Sequence, residues 1–207
     1  SIDVVSRELD IPEDVEAVFV ALHGAFGEDG EIQRLLEEKK IPYTGSGPEA
    51  SRRSFDKLLS KELFTKAGLP VPEFAIAGRG AQCPLSLPVV TKPLREGSSI
   101  GIHIVCREDE WEAALEDTLR YGDRVMVERY IAGRELTAGM VCGEILPVIE
   151  IAPAEGYYDY HAKYRRHDTR YIVPAEIPDE TARRCRELAG WRWPSVQPRQ
   201  AQRDRRL

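Results

Sequence analysis

The stretch TKPLREGSSIG, residues 91–101, determines how the rest of this chain is interpreted. An apolar run, residues 87–90, precedes it, and a second run begins within it and ends at residue 105. Both runs are rich in Val, Leu and Ile and have the length of strands, so the pattern predicts two strands joined by a polar loop. The question is whether this loop is a plain hairpin turn or holds a ligand.

The composition of the loop suits a ligand that carries phosphate, but it suits a plain hairpin tip equally. Gly97 and Gly101 allow the backbone to turn its N–H groups inward, and Ser98 and Ser99 add hydroxyl donors. Lys92, just before the loop, would supply a positive charge. The loop is not a Walker loop, because no G-K-[ST] run opens a helix. A hairpin tip with a surface lysine remains the alternative.

Composition places the chain among globular proteins. Hydrophobic residues make up 42% of the 207 residues and charged residues 31%, and no apolar run approaches the roughly 18 residues of a membrane helix. The last 17 residues hold five Arg and one Asp, so the rest of the chain is more acidic than the total net charge of −6. An acidic body argues against a nucleic-acid partner. The four cysteines are far apart and form no C-x-x-C pair, which argues against a zinc site and against disulfides and favours a reduced cytoplasm.

Hydrophobic periodicity predicts strands and helices along most of the chain. The predicted strands are 15–24, 71–77, the two flanks of the opening loop, 124–131, and a hairpin of 134–141 with 144–151. The predicted helices follow Asp29, run from Ser51 to Gly68, span 108–120 with an apolar face at Trp111, Leu115 and Leu119, and run from about Asp179 to Ala189. Asp29 and Ser51 are the expected N-caps. The fold class is therefore α/β or α+β, with at least one antiparallel sheet.

Three further segments carry side chains that suit a ligand site. His23 and Glu28 lie in a Gly-rich turn before a predicted helix, whose N-terminus would attract carboxylate or phosphate. Glu128 ends a predicted strand and Glu135 follows seven residues later, and both could accept hydrogen bonds from an adenine amino group or a ribose hydroxyl. The polar segment 152–169 places one lysine among four tyrosines, as an active-site lid would. The structural alternatives are a capped turn, two surface acids and a packed surface loop.

Six motifs, taken in order, identify the chain as a member of a known family. HGxxGEDGxIQ, IPYTGSG, DKxLSK, KPxxEGSSIG, VExxIxGREL and YDYxAKY follow one another as they do in the D-alanine–D-alanine ligases of the ATP-grasp superfamily. The resemblance runs from about Val15 to Ala189. It implies an incomplete ATP-grasp fold with the remnant of an N-terminal α/β domain. The expected parts are a partial N-terminal substrate domain over 1–50, a small ATP-grasp subdomain over 51–131 and a partial large subdomain over 132–190.

The resemblance also implies a reaction and a set of site residues. ATP phosphorylates the carboxylate of one D-alanine, and the amine of a second D-alanine attacks the acyl phosphate, for peptidoglycan precursor synthesis in building the cell wall. Phosphoryl transfer needs charge neutralisation and in-line positioning. By resemblance, the ATP-binding residues are Lys57, Lys92, Ser98, Ser99, Glu128, Arg129, Tyr130, Ile131, Glu135 and Lys163. The catalytic residues are Ser98, Lys163 and Tyr164, and the residues near D-alanine are His23, Glu28 and Tyr158.

Individual roles follow from the same resemblance. Lys57 and Lys92 face the phosphates, Glu128 to Ile131 form the adenine hinge, and Glu135 takes the ribose. Tyr164 in the AKY pattern favours an amine as the second substrate. A homodimer in the cytoplasm, with no membrane partner, is expected from the family.

The chain departs from the family pattern at both ends. The family's first strand with its Gly-rich turn, and its final R-x-D-F and E-x-N segments, are not found here. Those last segments hold the family's Mg²⁺, or Mn²⁺ in its place, so we expect no metal ligands in this chain and no turnover by the chain alone. Residues 191–207 have the composition of a tail outside the family, such as a shifted reading frame produces. A non-catalytic ATP-binding remnant and another ATP-grasp carboxylate–amine ligase remain alternatives.

Overall fold

The fold is described from a computed structural model, which covers residues 10–141, 144–154, 163, 165 and 168–190. These residues form two compact units, one over 10–56 and the other from Lys57 onward. The first unit contains helices α1 (Glu31–Glu38) and α2 (Pro48–Phe55). No helix within the described ranges is both long and apolar enough to cross a membrane.

The predicted strand over 15–24 does not form. Within the described residues this segment makes a single parallel bridge, between Val18 and Tyr43, with the Val18 N–H donating to the Pro42 carbonyl at 2.8 Å. The Phe19 side chain, in the middle of the predicted strand, is 79% exposed. An apolar run becomes a strand only where a partner pairs along its length, and here the pairing is limited to one position.

Both N-cap predictions in the first unit, Asp29 and Ser51, are wrong. The cap of α1 is Gly30, and the Asp29 carboxylate instead accepts from the N–H groups of Glu31 at 3.0 Å and Phe26 at 2.8 Å. The cap of α2 is Gly47, because Pro48 starts that helix, which places Ser51 inside it. The helix predicted from Ser51 to Gly68 is also two helices rather than one, because Asp56 is extended.

The second unit begins with helix α3 (Lys57–Lys66) and is built on a four-stranded antiparallel sheet. Its strands are β1 (Phe74–Gly78), β2 (Val89–Pro93), β3 (His103–Val105) and β4 (Arg124–Arg129), in the order β1-β4-β2-β3. The predicted hairpin of β2 and β3 around the opening loop is thereby confirmed. Helix α4 (Trp111–Thr118), flanked by 3₁₀ turns, accounts for the helix predicted over 108–120.

One face of the four-stranded sheet packs against α4 and forms the core of the unit. Side chains alternate between the two faces of a strand, so Val89 of β2 and Val125 and Val127 of β4 point to the same side. All three are 0% exposed. The predicted apolar face of α4 covers them, with Trp111, Leu115 and Leu119 at most 8% exposed.

A second, three-stranded sheet follows in the chain. Its strands are β5 (Glu135–Thr137), β8 (Ile149–Ala152) and β9 (Arg170–Ile172), in the order β5-β8-β9. Strands β6 (Met140–Val141) and β7 (Glu144–Ile145) form a separate two-stranded antiparallel sheet, and together with the pairing of β5 with β8 this confirms the predicted hairpin. Strand β9, which directly follows the polar segment 152–169, was not predicted. The predicted last helix is confirmed as α5 (Asp179–Ala189).

Candidate nucleotide site

The four-stranded sheet carries a charged cluster on the face opposite α4. Glu128 of β4 lies across from Val90 of β2, and Lys92, two residues further along β2, therefore lies on the same face as a diagonal neighbour. The Lys92 ammonium donates to Glu128 Oε2, and the Lys61 ammonium of α3 lies 2.7 Å from Glu128 Oε1. The Glu128 side chain is only 7% exposed, so this carboxylate is buried between two cations.

The charge state of Glu128 is set by these two cations. Burial alone would raise the pKa of the Glu128 carboxyl, because water no longer stabilises its charged form. The positive charge of Lys92 and the hydrogen bonds from Lys61 and Lys92 outweigh burial and hold that pKa below its usual value. The cluster is therefore ionised at neutral pH, with two positive charges and one negative charge.

Lys61 was not among the predicted site residues. It follows Lys57 by four residues in the DKxLSK motif, so the two lysines lie one turn apart on α3. That spacing was visible in the sequence and could have drawn attention to Lys61. The pairing with Glu128 was not visible, because it joins a helix to a strand more than sixty residues away.

Lys57 contacts the opening loop rather than the Glu128 cluster. Its ammonium donates to the carbonyl oxygen of Glu96 at 2.5 Å, and its backbone N–H donates to the carbonyl of Leu94 at 2.9 Å. The first turn of α3 thus supports the start of the loop between β2 and β3. Lys57 and Lys92 were both expected beside phosphates, and both adjoin this loop.

The loop has an unusual backbone at its serines. Ser98 has a φ of 53° and Ser99 a φ of 59°, both in the left-handed region that residues with a side chain occupy only at a cost of roughly 1–3 kcal/mol. Gly101 has a φ of 66°, but Gly97 does not share this conformation, so the turn falls on the serines rather than on both glycines as expected. Strained residues of this kind concentrate at ligand sites.

The loop is also fixed at its far end. A Cβ atom added to Gly101 would lie 2.7 Å from the ring of Tyr121, so the backbone passes directly against that ring. The Thr118 hydroxyl of α4 donates to the Gly101 carbonyl at 3.1 Å. The loop is thus held at both ends, by α3 at its start and by α4 at its end.

Lys163 joins the second half of the chain to this loop. Its ammonium donates to the Ser99 hydroxyl at 2.7 Å. The same lysine acts on Glu135 at the start of β5. Burial raises the pKa of the Glu135 carboxyl, and the charge of Lys163 offsets only part of that rise. The structure therefore brings Ser99, Lys163 and Glu135 into one neighbourhood, whereas Tyr158 and Tyr164 lie outside the described residues.

In the segment from Glu128 to Ile131, where the chain leaves the sheet, two backbone N–H groups are engaged in hydrogen bonds. The Arg129 N–H donates to the Glu73 carbonyl at 2.9 Å, and the Tyr130 N–H donates to the Pro88 carbonyl at 3.1 Å. The Ile131 side chain is 63% exposed. Among the described residues, these contacts fix the path of the segment and leave an apolar side chain exposed to solvent at its end.

Arg134 and Glu150 form a second ion pair next to Glu135. The Arg134 guanidinium binds both carboxylate oxygens of Glu150, and its Nη2 also donates to the Glu176 carbonyl at 3.0 Å. The hydrogen bonds from Arg134 hold the pKa of the Glu150 carboxyl below its usual value. Because Arg134 precedes Glu135 directly, this bidentate pair fixes the start of β5.

His23 and Glu28 belong to the first unit. The Glu28 carboxylate accepts from the Gly24 N–H at 2.7 Å, so it closes its own glycine-rich turn. In the described ranges of both units, no group of three or more His, Cys, Asp or Glu side chains is placed to hold a metal ion.

Comparison with known proteins identifies the family of this chain. The family model for the C-terminus of D-ala D-ala ligases matches residues 63–203, and the model for the N-terminus matches residues 3–46. The chain belongs to the D-alanine–D-alanine ligase family, and its fold is that of the ATP-grasp enzymes. The C-terminal match extends into residues 191–203, which the sequence analysis assigned to a tail outside the family.

Individual relatives give the extent of the similarity. The chain is 46% identical over 183 residues to the D-alanine–D-alanine ligase of Methylacidiphilum infernorum and 48% identical over 168 residues to that of Syntrophotalea carbinolica. These matches cover 88% and 80% of this chain but only 60% and 55% of the relatives.

Solved structures show the same relationship. The D-alanine–D-alanine ligase of Bacillus anthracis matches with a TM-score of 0.75 at 34% identity, covering 86% of this chain and 60% of that chain. The VanG D-Ala:D-Ser ligase of Enterococcus faecalis matches with a TM-score of 0.73 at 32% identity, covering 90% and 60%. A second structure of the Bacillus anthracis enzyme contains ATP.

Proposed function

We propose that this chain is the ATP-binding portion of a D-alanine–D-alanine ligase, which joins two D-alanines at the expense of ATP to make a peptidoglycan precursor in the cytoplasm. The observation that carries the proposal is the convergence of Lys57, Lys92 and Lys163 on the loop 94–102 and its borders. Two ammonium groups on one strained serine loop, with the Lys92 ammonium on the sheet beside it, suit a triphosphate far better than they suit a neutral ligand.

The other residues of the site support a nucleotide in a consistent position. The hinge that ends at Ile131 would receive the adenine, with its exposed side chain available to the base. The Glu135 carboxylate would accept from the ribose hydroxyls. The pKa of Glu135 is raised by burial, and a nearby hydrogen-bond donor would favour its charged form.

The lysines would also serve the reaction itself. A carboxylate is a poor electrophile until one of its oxygens becomes a good leaving group, which is what transfer of a phosphoryl group to it achieves. ATP supplies that phosphoryl group when bound. Lys92 and Lys163 would place positive charge beside the negatively charged phosphoryl group during its transfer. Ser98 and Ser99 would cover the phosphates and exclude water. A homodimer is part of the proposal, by analogy with the family.

A second candidate is a ligase that joins D-alanine to a different amine. The similarity to the D-Ala:D-Ser ligase at 32% identity is the observation that favours it. The predicted determinant of the second substrate, Tyr164, lies outside the described residues. A screen of amino acids as the second substrate separates the two candidates.

Two measurements test the proposed function. Calorimetric titration of the 207-residue chain with ATP should show saturable binding, with GTP as the control nucleotide. ADP release should then be measured with D-alanine, with L-alanine and with D-serine, both for this chain and for a protein extended to the full length of its relatives. Release that depends on D-alanine supports the proposal. Saturable ATP binding without D-alanine-dependent release from the extended protein would instead identify a non-catalytic nucleotide-binding protein.

A further inference from the structure

Lys61 contacts the candidate site through Glu128. Its ammonium lies 2.7 Å from Glu128 Oε1 and 5.9 Å from the centre of the Phe74 ring. Phe74 is the cross-strand partner of Glu128, so both groups that surround this ammonium belong to neighbouring positions of the sheet. The Lys61 side chain is only 14% exposed. It is therefore fixed between a carboxylate and an aromatic face.

The cluster holds more positive charge than its carboxylate requires. Glu128 has one oxygen for each lysine, Oε1 for Lys61 and Oε2 for Lys92. One ammonium is sufficient to balance one carboxylate, so the second positive charge is available to another anion. Of the two lysines, Lys92 is the more exposed, at 19%, and it leads directly into the serine loop.

We propose that Lys61 is a positioning residue that keeps Glu128 charge-paired when Lys92 turns from that carboxylate towards the phosphates of a bound nucleotide. The identity of the nucleotide rests on the proposed function. Without Lys61, Glu128 would have Lys92 as its only ammonium partner from this cluster. A buried carboxylate left without a cation is strongly unfavourable, so Lys92 would remain on Glu128. Lys61 thus frees Lys92 without touching the ligand.

A double-mutant cycle separates this role from a direct contact with ATP. Lys61→Met, which removes the charge and keeps an unbranched side chain, should weaken ATP binding by roughly tenfold in the otherwise unchanged chain. In a Glu128→Gln background the same substitution should cost less than about threefold, because no carboxylate then competes for Lys92. A lysine that binds the nucleotide directly would cost the same factor in both backgrounds.

A readout without nucleotide tests the ion pair itself. The titration of the Glu128 carboxyl can be followed by carbon NMR in the chain alone, with Lys61→Met compared with the parent. Loss of Lys61 should move the titration midpoint to higher pH, because one of two cations is gone and the burial remains. The charged groups placed on Glu128 are Lys61 from α3 and Lys92 from β2.

Two controls accompany the cycle. Lys61→Arg keeps the charge and should stay within about threefold of the parent in ATP affinity. Lys66→Met, at the exposed end of the same helix, changes the same residue type and should have no effect. If Lys61→Met fails to fold, folding of the double variant Lys61→Met, Glu128→Gln would support the proposal, because the second substitution removes the buried carboxylate that Lys61 helps to compensate. Unfolding of both variants would overturn it.

Other results of these experiments would overturn the proposal in whole or in part. Equal losses of ATP affinity in the two backgrounds, or a Glu128 titration that does not move, would overturn the role assigned to Lys61. If the parent chain binds no ATP, the proposed function fails, and the phosphate part of this proposal fails with it. The carboxyl titration would then still decide, by itself, whether Lys61 holds Glu128 in its charged form.

Discussion

The two sheets of the second unit differ in what stabilises them. The sheet of β1 to β4 buries Val89, Val125 and Val127 completely against α4. In the sheet of β5, β8 and β9, the buried residue is Glu150, which is held by Arg134. Apolar burial is nondirectional and strong, whereas a partly exposed ion pair contributes little. The comparison indicates that the first sheet is the stable support of the site and the second sheet its more adjustable part.

The two carboxylates of the candidate site, those of Glu128 and Glu135, lie one in each sheet and also differ from each other. Glu128 is the last residue but one of β4 in the first sheet, and two lysines hold its pKa below the usual value despite burial. Glu135 begins β5 of the second sheet, where burial raises its pKa and Lys163 offsets only part of the rise. One carboxylate is thus saturated with positive charge and the other is not. The second carboxylate, that of Glu135, therefore has hydrogen-bonding capacity left for a ligand.

The largest expected effect is the loss of packing between the first sheet and α4. Leu115→Ala should lower the free energy of unfolding by about 3–5 kcal/mol, because a fully buried leucine leaves a cavity. The matched control is Leu136→Ala in β5, which is half-buried and should cost about 1 kcal/mol. Urea unfolding followed by circular dichroism measures both. Equal losses would show that the second sheet is packed as firmly as the first.

Next in size is the loss of charge from the Glu128 cluster. Glu128→Gln should lower stability by about 2–3 kcal/mol at pH 7, because two nearly buried ammonium groups then face each other without a counter-charge. The folded-state pKa of Glu128 is lowered, so its contribution is present above the unfolded pKa of about 4.3 and is lost as the pH falls through the folded value.

Urea unfolding from pH 7 to pH 3 measures this dependence. The parent should lose stability in the acid part of the range, and the difference between parent and variant should shrink there. A difference that stays constant down to pH 3 would mean that Glu128 is not held in its charged form by Lys61 and Lys92.

The third effect concerns the ligand rather than the fold. Lys92→Ala should weaken ATP binding by roughly 1.5–3 kcal/mol through the loss of a charge-assisted hydrogen bond. Lys66→Ala, on the exposed end of α3, is the control with the same change of charge. Calorimetric affinities measure both. If Lys92→Ala binds as the parent does, Lys92 is not part of the nucleotide site.

The smallest expected effect is that of Glu135 on stability. Its dependence on pH should be opposite to that of Glu128. Because the pKa of Glu135 is raised, the folded protein favours the protonated form, and stability from this group increases as the pH falls through the folded pKa. Glu135→Gln should therefore be slightly more stable than the parent at pH 7 and equal to it at low pH. The same urea series measures it. A variant that is less stable at pH 7 would contradict the contrast between the two carboxylates.

The parts of the fold that were predicted correctly have local patterns. The apolar positions Trp111, Leu115 and Leu119 repeat with helical spacing, and all three pack on the sheet. The hairpin around residues 142–143 was evident from two alternating runs joined by a short turn. Such patterns are sufficient because the element and its buried face are encoded in the same residues.

The parts that were missed depend on distant partners. The run 15–24 has the composition of a strand, but its pairing with the segment around Tyr43 covers one position. The apolar stripe through Phe55, Leu58 and Leu59 continues across Asp56, although the helix does not. At the site, the resemblance pointed to Lys92 and Glu128, while Lys61 was missed because its partner lies on a strand far along the chain.

The close passage of Gly101 against Tyr121 limits which sequences this loop can accept during evolution. A side chain at this position would meet the ring and would also be strained by the positive φ. Gly80 has a similar φ of 72° but open space around it, so asparagine there should be tolerated. In a mutational scan for folding, position 101 should therefore accept glycine alone, while position 80 accepts several residues. Among related sequences, variation within the serine loop should therefore occur at positions that precede Gly101 and should be absent at Gly101 itself.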